Sequence, residues 1–164
     1  MSLMLAVAAS GAAAAPGAGD RAPDRLGKTL TGDTVKLSSY AGRVLVIAFW
    51  AADCARCLKQ LPMLESLHKV AKGRVQVIAI NAGTKTEFKE AARDLGKLKM
   101  MLTHDAGERG TMAYGVTELP HLVVIGRDGK IVEVHRGYTE AALAEIINDV
   151  NVAVSAQAPV VVRN

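Results

Sequence analysis

Residues 44–57 read VLVIAFWAADCARC, a continuous apolar run followed closely by two cysteines that are separated by two residues. The run over residues 44–50 is short and rich in β-branched side chains, which predicts a strand buried on both faces. From Leu58 onward the apolar residues recur at helical spacing as far as Gly73. The stretch therefore predicts a buried strand that leads into a helix, with both cysteines at the junction.

Cys54 and Cys57 are the only cysteines in the chain, and their spacing places both sulfurs on one helix face, within disulfide reach. A redox switch is the leading hypothesis for such a pair. A zinc knuckle begins in the same way, but a closed structural site needs four ligands and no second cysteine pair exists. Because the four histidines also lack zinc-finger spacing, we expect no metal site and no other cofactor.

The chain has 164 residues, half of them hydrophobic, which suits a single domain with a substantial core. Its formal net charge is +4, but the lysines and arginines are scattered, so no nucleic-acid partner is indicated. The sequence contains no Walker-type phosphate loop, no G-x-S-x-G elbow and no H-E-x-x-H helix. Nucleotide-binding, serine-hydrolase and metalloprotease functions therefore lack support.

The first nineteen residues carry no charged side chain, and residues 3–15 are apolar and rich in alanine. Ala12-Ala13-Ala14 offers the small residues after which a signal peptidase cuts. We expect residues 1–19 to be a signal peptide or a disordered leader, and the protein to be periplasmic or otherwise exported. Contact with a membrane would come only through an uncleaved leader, since the run is short and alanine is weakly apolar.

The remaining chain divides into a domain over residues 20–150, which opens on a polar linker at 20–25, and a tail over 151–164. The tail shows no useful pattern, although residues 160–162 are apolar enough to dock on the domain. The domain is predicted to contain a hairpin at 28–37, strands at 44–50, 74–81, 99–102, 121–125 and 131–135, and helical segments at 54–73, 86–95, 108–114 and 139–150. Thr139 is the predicted cap of the last helix. This order predicts an α/β sandwich with a mixed central sheet.

The elements and several short motifs together resemble the thioredoxin superfamily, and within it the exported TlpA/ResA type. The motifs are Phe49-Trp50-Ala51-x-x-Cys54-x-x-Cys57, Pro62, Leu119-Pro120, Ala22-Pro23-Asp24, Ser39-Tyr40-Ala41-Gly42 and Ala113-Tyr114-Gly115-Val116. The likeness covers residues 22–150. It implies a thioredoxin-like three-layer α/β/α sandwich with a mixed central sheet and an N-terminal β-hairpin extension.

The resemblance also implies roles: Cys54 is the attacking thiol, Cys57 the resolving thiol, and Pro120 a cis proline that faces the disulfide. A cysteine that opens a helix meets unpaired N–H groups and the helix dipole, which lower its pKa. A cis Pro120 would leave the backbone of Leu119 free to pair with an extended substrate. The alternative for Pro120 is an ordinary trans proline at a strand entry.

The neighbours of the cysteines depart from the pattern of the family. Most relatives have a tryptophan where this chain has Asp53, a carboxylate that should raise the pKa of Cys54, whereas Arg56 should lower it. Asp53 could instead cap the helix. Trp50 is expected either to pack in the core or to wall the rim of the site.

Two acidic groups that the family uses near the thiols are also missing, because Gln60 replaces a glutamate and Ala48 replaces the aspartate of thioredoxin itself. His121 follows Pro120, where relatives usually have threonine. It could act as the missing base near neutral pH, or it could be a partly buried strand side chain.

The sequence thus predicts a monomeric, exported thiol-disulfide oxidoreductase that reduces selected protein disulfides, such as those of an apocytochrome c or a copper-site protein, and is recharged by an upstream redox donor. The direction of electron flow is open, because a change of about 30 mV in the reduction potential corresponds to only about 1.4 kcal/mol. One or two charges near the sulfurs can therefore reverse it. One alternative is a copper(I) metallochaperone that uses both cysteines and a histidine such as His121. Another is a redox-inert binding module on the same fold. A peroxiredoxin is less favoured, because those enzymes have threonine at the position of Ala51.

Overall fold

The computed structural model describes residues 14–157. The elements in chain order are β1 (Arg25–Lys28), β2 (Thr34–Lys36), β3 (Val44–Trp50), α1 (Ala55–Val70), β4 (Val75–Asn81), α2 (Lys85–Asp94), β5 (Met101–His104), α3 (Arg109–Ala113), β6 (His121–Ile125), β7 (Ile131–Arg136) and α4 (Ala142–Ser155). No helix in this part of the chain is long and apolar enough to cross a membrane. Most of the predicted leader, residues 1–13, and the end of the predicted tail, including residues 160–162, lie outside the described residues.

All the strands form one sheet in the order β2-β1-β5-β4-β3-β6-β7. The strands β3, β4 and β5 are parallel to one another, whereas the hairpin β1–β2 and the strands β6 and β7 pair antiparallel with their neighbours. Every residue of β3 is at most 1% exposed. Since β3 is covered on both faces, it needs the continuous apolar run that the sequence shows.

Side chains of β3 point alternately into two hydrophobic cores, one on each face of the sheet. The first core lies against α1, α2 and α4, and it contains Trp50 and Cys57. The second core lies on the side of the N-terminal hairpin and α3, and it contains Phe49 and Tyr114. Helices thus cover both faces of a mixed sheet that carries an N-terminal hairpin, and the predicted fold class is confirmed.

The predicted bounds are right for the most buried strands, β3 and β6, and less accurate near the chain end. The strand predicted at 99–102 lies two residues later, as β5. The helix predicted at 139–150 begins at Ala142 and continues to Ser155, because Ala153 packs into the first core. Thr139 is not its N-cap residue; the hydroxyl of Thr139 accepts the amide of Ala142 in the preceding turn.

The polar linker predicted at residues 20–25 is instead part of the fold. The amides of Gly19 and Ala22 donate to the carbonyls of Ile131 (2.8 Å) and Gly129 (3.0 Å), and the amide of Ile131 donates to the carbonyl of Asp20 (2.9 Å). The side chain of Ala22 is buried in the second core. The segment before β1 therefore pairs with the chain at the start of β7.

Glu65 on α1 is a buried carboxylate that joins this helix to the segment before β5. It accepts hydrogen bonds from the amides of Lys99 (2.9 Å) and Met100 (3.0 Å), and its other oxygen lies 3.2 Å from the Lys69 ammonium. Burial raises the pKa of this carboxyl, but the two amides and Lys69 outweigh burial and hold the pKa below its ordinary value. The ionised form is therefore the one that stabilises the fold.

We expect Glu65→Gln to lower the free energy of unfolding by about 1–3 kcal/mol at neutral pH, because hydrogen bonds to a charged group contribute roughly that much. The folded-state pKa lies below the unfolded-state value, so the advantage of the wild type is complete above the unfolded pKa and is lost as the pH falls through the folded pKa. Urea unfolding of both proteins, from neutral into acid solution, measures the difference.

The control for this experiment is Glu90→Gln, which removes an exposed carboxylate from α2 and should leave the stability unchanged at every pH. A loss in Glu65→Gln that stays constant into acid solution would contradict the role assigned to the ionised carboxylate.

Candidate active site

The two cysteines lie where β3 ends and α1 begins. Cys54 is the N-cap residue of α1, and its Sγ accepts the amide N–H of Cys57 at 3.1 Å. The two residues form a disulfide, with their Cα atoms 5.2 Å apart. The sulfur of Cys54 takes the place of a capping oxygen, where free backbone N–H groups and the helix dipole favour a negative charge. Once the disulfide is reduced, this position stabilises a thiolate at Cys54.

The two sulfurs differ in their access to solvent. Cys54 is partly exposed, whereas Cys57 is 0% exposed and lies in the first core. Thiol-disulfide exchange requires a thiolate to reach a sulfur of the disulfide. A protein partner can therefore meet Cys54, while Cys57 reacts from inside the fold.

The sheet brings Leu119 and Pro120 next to the cysteine loop. Because β6 runs antiparallel to β3, with His121 opposite Phe49, the residues before β6 adjoin the residues that follow β3. The Leu119-Pro120 peptide bond is cis, and the carbonyl of Pro120 accepts the amide of Gly137 at 2.8 Å. Within residues 14–157, the backbone groups of residues 117–119 have no hydrogen-bond partner. A short stretch of backbone beside the disulfide is thus free to pair with another chain.

Asp53 and Arg56, the charged neighbours of Cys54, are both exposed. The N-cap position of α1 belongs to Cys54, so the prediction that Asp53 caps this helix is wrong. Arg56 reaches toward the end of β7, where a β-carbon built on Gly137 would lie 3.6 Å from its guanidinium. Solvent and salt screen charges in such positions, so neither residue dominates the electrostatics of the thiols.

Three buried N–H donors on the first-core side of the site have no acceptor among the described residues. They belong to the side chains of Trp50, Gln60 and Asn81, each at most 1% exposed. Trp50 and Asn81 are paired in the β3–β4 register, and Gln60 lies one helical turn after Cys57 on α1. Unpaired buried donors are costly, so a sulfur or a water molecule that accepted from them would be stabilised.

This arrangement corrects one prediction and adds a residue. Trp50 packs in the first core, and the alternative in which it walls the rim of the site is wrong. Sequence reasoning missed Asn81, whose side-chain oxygen accepts the amide of Gly83 at 3.0 Å. The available signal was a lone amide at the end of an apolar strand, because neighbouring parallel strands end at the same edge of a sheet.

His121 points away from the disulfide. Residues of β6 alternate between the two faces, and the next residue, Leu122, is the one that shares the first core with Cys57. The His121 ring packs edge-on against Phe49, with centroids 6.0 Å apart, and it is 0% exposed. Burial, and secondly the charge of Arg136 opposite it in β7, lower the pKa of His121 to about 4. The hypothesis that His121 is the missing base near neutral pH is therefore wrong, and its burial is complete rather than partial.

Metal ligands are not gathered anywhere in the described part of the chain: no group of three or more His, Cys, Asp or Glu side chains could hold an ion. Since His121 faces the second core, the described geometry favours disulfide exchange over the copper(I) alternative.

Comparisons with known proteins point to the same chemistry. The Redoxin family model matches residues 17–150. The thiol-disulfide oxidoreductase ResA of Halalkalibacterium halodurans is 30% identical over 132 residues, which cover 79% of this chain and 75% of the relative. ResA of Bacillus thuringiensis is 32% identical over 117 residues, 70% of this chain and 67% of the relative. Among solved structures, a candidate thiol:disulfide interchange protein DsbE of Chlorobium tepidum aligns with a TM-score of 0.77 and 29% identity, over 86% of this chain and all of that one.

The burial of His121 predicts a pH-dependent stability. The unfolded chain binds a proton at the ordinary histidine pKa, while the folded state resists protonation until about pH 4, so stability falls as the pH drops through this window. Across this window the free energy of unfolding should fall by as much as about 3 kcal/mol because of His121. We expect His121→Val to remove most of that loss. Urea unfolding at both ends of the window measures it.

The variant His68→Gln is the control, because it removes another histidine and should keep the slope of the wild type. An unchanged slope in His121→Val would contradict the assignment.

Proposed function

The chain belongs to the Redoxin family, as a TlpA/ResA-like member of the thioredoxin superfamily, and we propose that Cys54 attacks and Cys57 resolves in its exchange with protein disulfides. The protein is a thiol-disulfide oxidoreductase with protein thiols and disulfides as substrates. The assignment of roles rests on the difference in exposure and position between the two sulfurs. Cys54 is partly exposed at a helix N-terminus, and Cys57 is buried in the first core.

The reaction starts from the dithiol form of the protein. The Cys54 thiolate, which the amide of Cys57 and the N-terminus of α1 stabilise, attacks one sulfur of the substrate disulfide and releases the other as a thiolate. Cys57 then loses its proton and attacks Cys54 Sγ, which breaks the mixed disulfide and frees the second substrate thiolate. Two electrons pass to the substrate, and the Cys54–Cys57 disulfide forms. An upstream redox donor restores the dithiol.

We further propose that the protein works as a reductant. The likeness to the TlpA/ResA type supports this direction. The substrates that suit such a reductant are selected disulfides of the cell envelope, such as those of an apocytochrome c or a copper-site protein, met by a monomeric enzyme.

The leader supports an exported location for this chemistry. Residues 3–15 form the apolar run of a signal peptide, and Ala12-Ala13-Ala14 is a suitable cleavage site. Cleavage after Ala14 would spare the segment from Gly19 onward, which pairs with the chain at the start of β7.

Gln60 takes the tuning role that a carboxylate has in relatives. A neutral amide cannot accept the proton of Cys57, but it can donate a hydrogen bond to the sulfur. Its unpaired, buried donor one turn from Cys57 supports this role. Because Ala48 is apolar and His121 faces the other core, water is left to carry the proton of Cys57.

Thiol alkylation across a glutathione redox series tests the proposed function. We expect a single two-electron couple, with a potential nearer the thioredoxin value of about −270 mV than the DsbA value of about −120 mV. In the reduced protein Cys54 should be alkylated at least about ten times faster than Cys57, since only a thiolate that solvent reaches reacts readily.

Two variants separate the roles of the thiols. Cys57→Ser should accumulate a mixed disulfide through Cys54, whereas Cys54→Ser should accumulate none. Equal alkylation rates at the two thiols would refute the assigned roles, and an absence of exchange in the wild type would favour the redox-inert module.

The role of Gln60 predicts the effect of adding charge. We expect Gln60→Glu to make the potential more negative by about 30–60 mV, because an anion near Cys57 disfavours the thiolate and so stabilises the disulfide. Gln60→Leu is the matched neutral control, in which only the donated hydrogen bond is lost. A potential that is the same in all three proteins would exclude a tuning role for this position.

A further inference from the structure

A groove of about 320 Å³ adjoins the redox site on the side of α3. Its apolar lining includes the side chains of Ala82, Met112, Val116 and Leu119, and its charged lining consists of Glu108 and Glu118. Met112 is 77% exposed, although a side chain of this kind is usually buried in a core. We call this feature the Glu108–Glu118 groove.

The groove is in direct structural contact with the site. Leu119, which lines the groove, precedes the cis Pro120, which adjoins the cysteine loop through the β3–β6 pairing. Ala82 also lines the groove, and its amide donates to the carbonyl of Trp50 at 2.8 Å, at the point where β3 leads into that loop. A chain that reached Cys54 and continued past Leu119 would therefore lie along the groove.

The backbone of the groove wall is available for pairing. Among residues 14–157 nothing accepts from or donates to the main-chain groups of residues 117–119. Free backbone of this kind takes up an extended segment as an added strand, and alternate side chains of that segment then point toward the wall.

The charge of the groove is opposite to that of the chain. The protein carries 20 Lys and Arg against 16 Asp and Glu, yet no described residue that lines the groove is Lys or Arg. Arg109, the nearest cation to Glu108 in sequence, lines a different cavity, beside the β1–β2 hairpin. Arg56, between the cysteines, reaches instead toward Gly137. Glu108 and Glu118 thus act on a ligand in the groove without a compensating cation in its lining.

We propose that the Glu108–Glu118 groove selects disulfide partners in which the segment beside the reactive cysteine is extended and carries a Lys or Arg together with an apolar side chain. The apolar side chain packs on Met112 and Val116, and the cation lies between the two carboxylates. This inference rests on the proposed function, because it names the partners that exchange with Cys54. The recognised chemistry is a basic peptide segment, not a protein of high overall positive charge, which the net charge of +4 would repel.

The size of the preference follows from the exposure of both carboxylates. An exposed ion pair changes a rate or an affinity by about two- to threefold, so two such pairs give a preference of about fivefold. High salt should reduce this preference, because it screens exposed charges.

The experiment uses the reduced full-length chain and two disulfide-linked peptides that are identical except for Lys or Glu at the position two residues from the cysteine. Each rate of reduction is divided by the rate with dithiothreitol, since a lysine also activates a nearby disulfide. We expect the wild type to favour the Lys peptide about fivefold. Glu108→Gln combined with Glu118→Gln should abolish the preference, and Glu108→Lys combined with Glu118→Lys should reverse it.

The matched control combines Glu90→Gln with Asp94→Asn, which removes the same charge from exposed positions on α2 and should keep the preference. Exchange with glutathione is measured in every variant. Two outcomes would overturn the role of the groove and leave the proposed function intact. In both, glutathione exchange is normal, but either the wild type shows no peptide preference or the preference survives in the double Gln variant. Absence of exchange with both glutathione and the peptides would overturn the proposed function as well.

Discussion

Strand β3 is covered on both faces, and the rest of the molecule is arranged around that burial. Its even-numbered residues fill one core and its odd-numbered residues fill the other, so both helical layers are held to the sheet through this strand. Its parallel neighbour β4 and its antiparallel neighbour β6 pair with β3 along nearly the whole length of β3. Three chain segments consequently meet at its carboxyl end: the cysteine loop, the turn after Asn81, and the Leu119-Pro120 bond.

The chemistry at this edge depends on two unequal environments only a helical turn apart. Cys54 lies at the N-terminus of α1, where the backbone can stabilise negative charge, and Cys57 lies among apolar side chains that disfavour it. Near the thiols this chain has an apolar Ala48 and the unpaired buried donors of Trp50, Gln60 and Asn81. Such donors would stabilise a sulfur anion that they reached, but an N–H donor cannot take up the proton of a thiol.

The edge of the sheet also has an uneven surface charge. The carboxylates of the Glu108–Glu118 groove lie on the side of α3, and Arg56 reaches toward the end of β7. Exposed charges of both signs therefore lie near the disulfide. Such local patterns affect which partner binds and in which orientation, while the overall charge governs the approach at long range.

The sequence by itself determined the strand–helix junction, the cysteine pair at that junction and the bounds of β3 and β6. Its resemblance to a family also predicted that Pro120 is cis. These features are local, since a doubly covered strand appears as an unbroken apolar run and a redox pair as a fixed spacing. Only the tertiary structure decided the face on which His121 lies, the helix cap at Cys54 in place of Asp53, the burial of Trp50 and Asn81, and the pairing of residues 19–22 with the chain at the start of β7. It also decided where α4 ends and how Glu65 binds the segment before β5. Each of these depends on strand register and on packing between segments far apart in the chain, and no local spacing encodes that information.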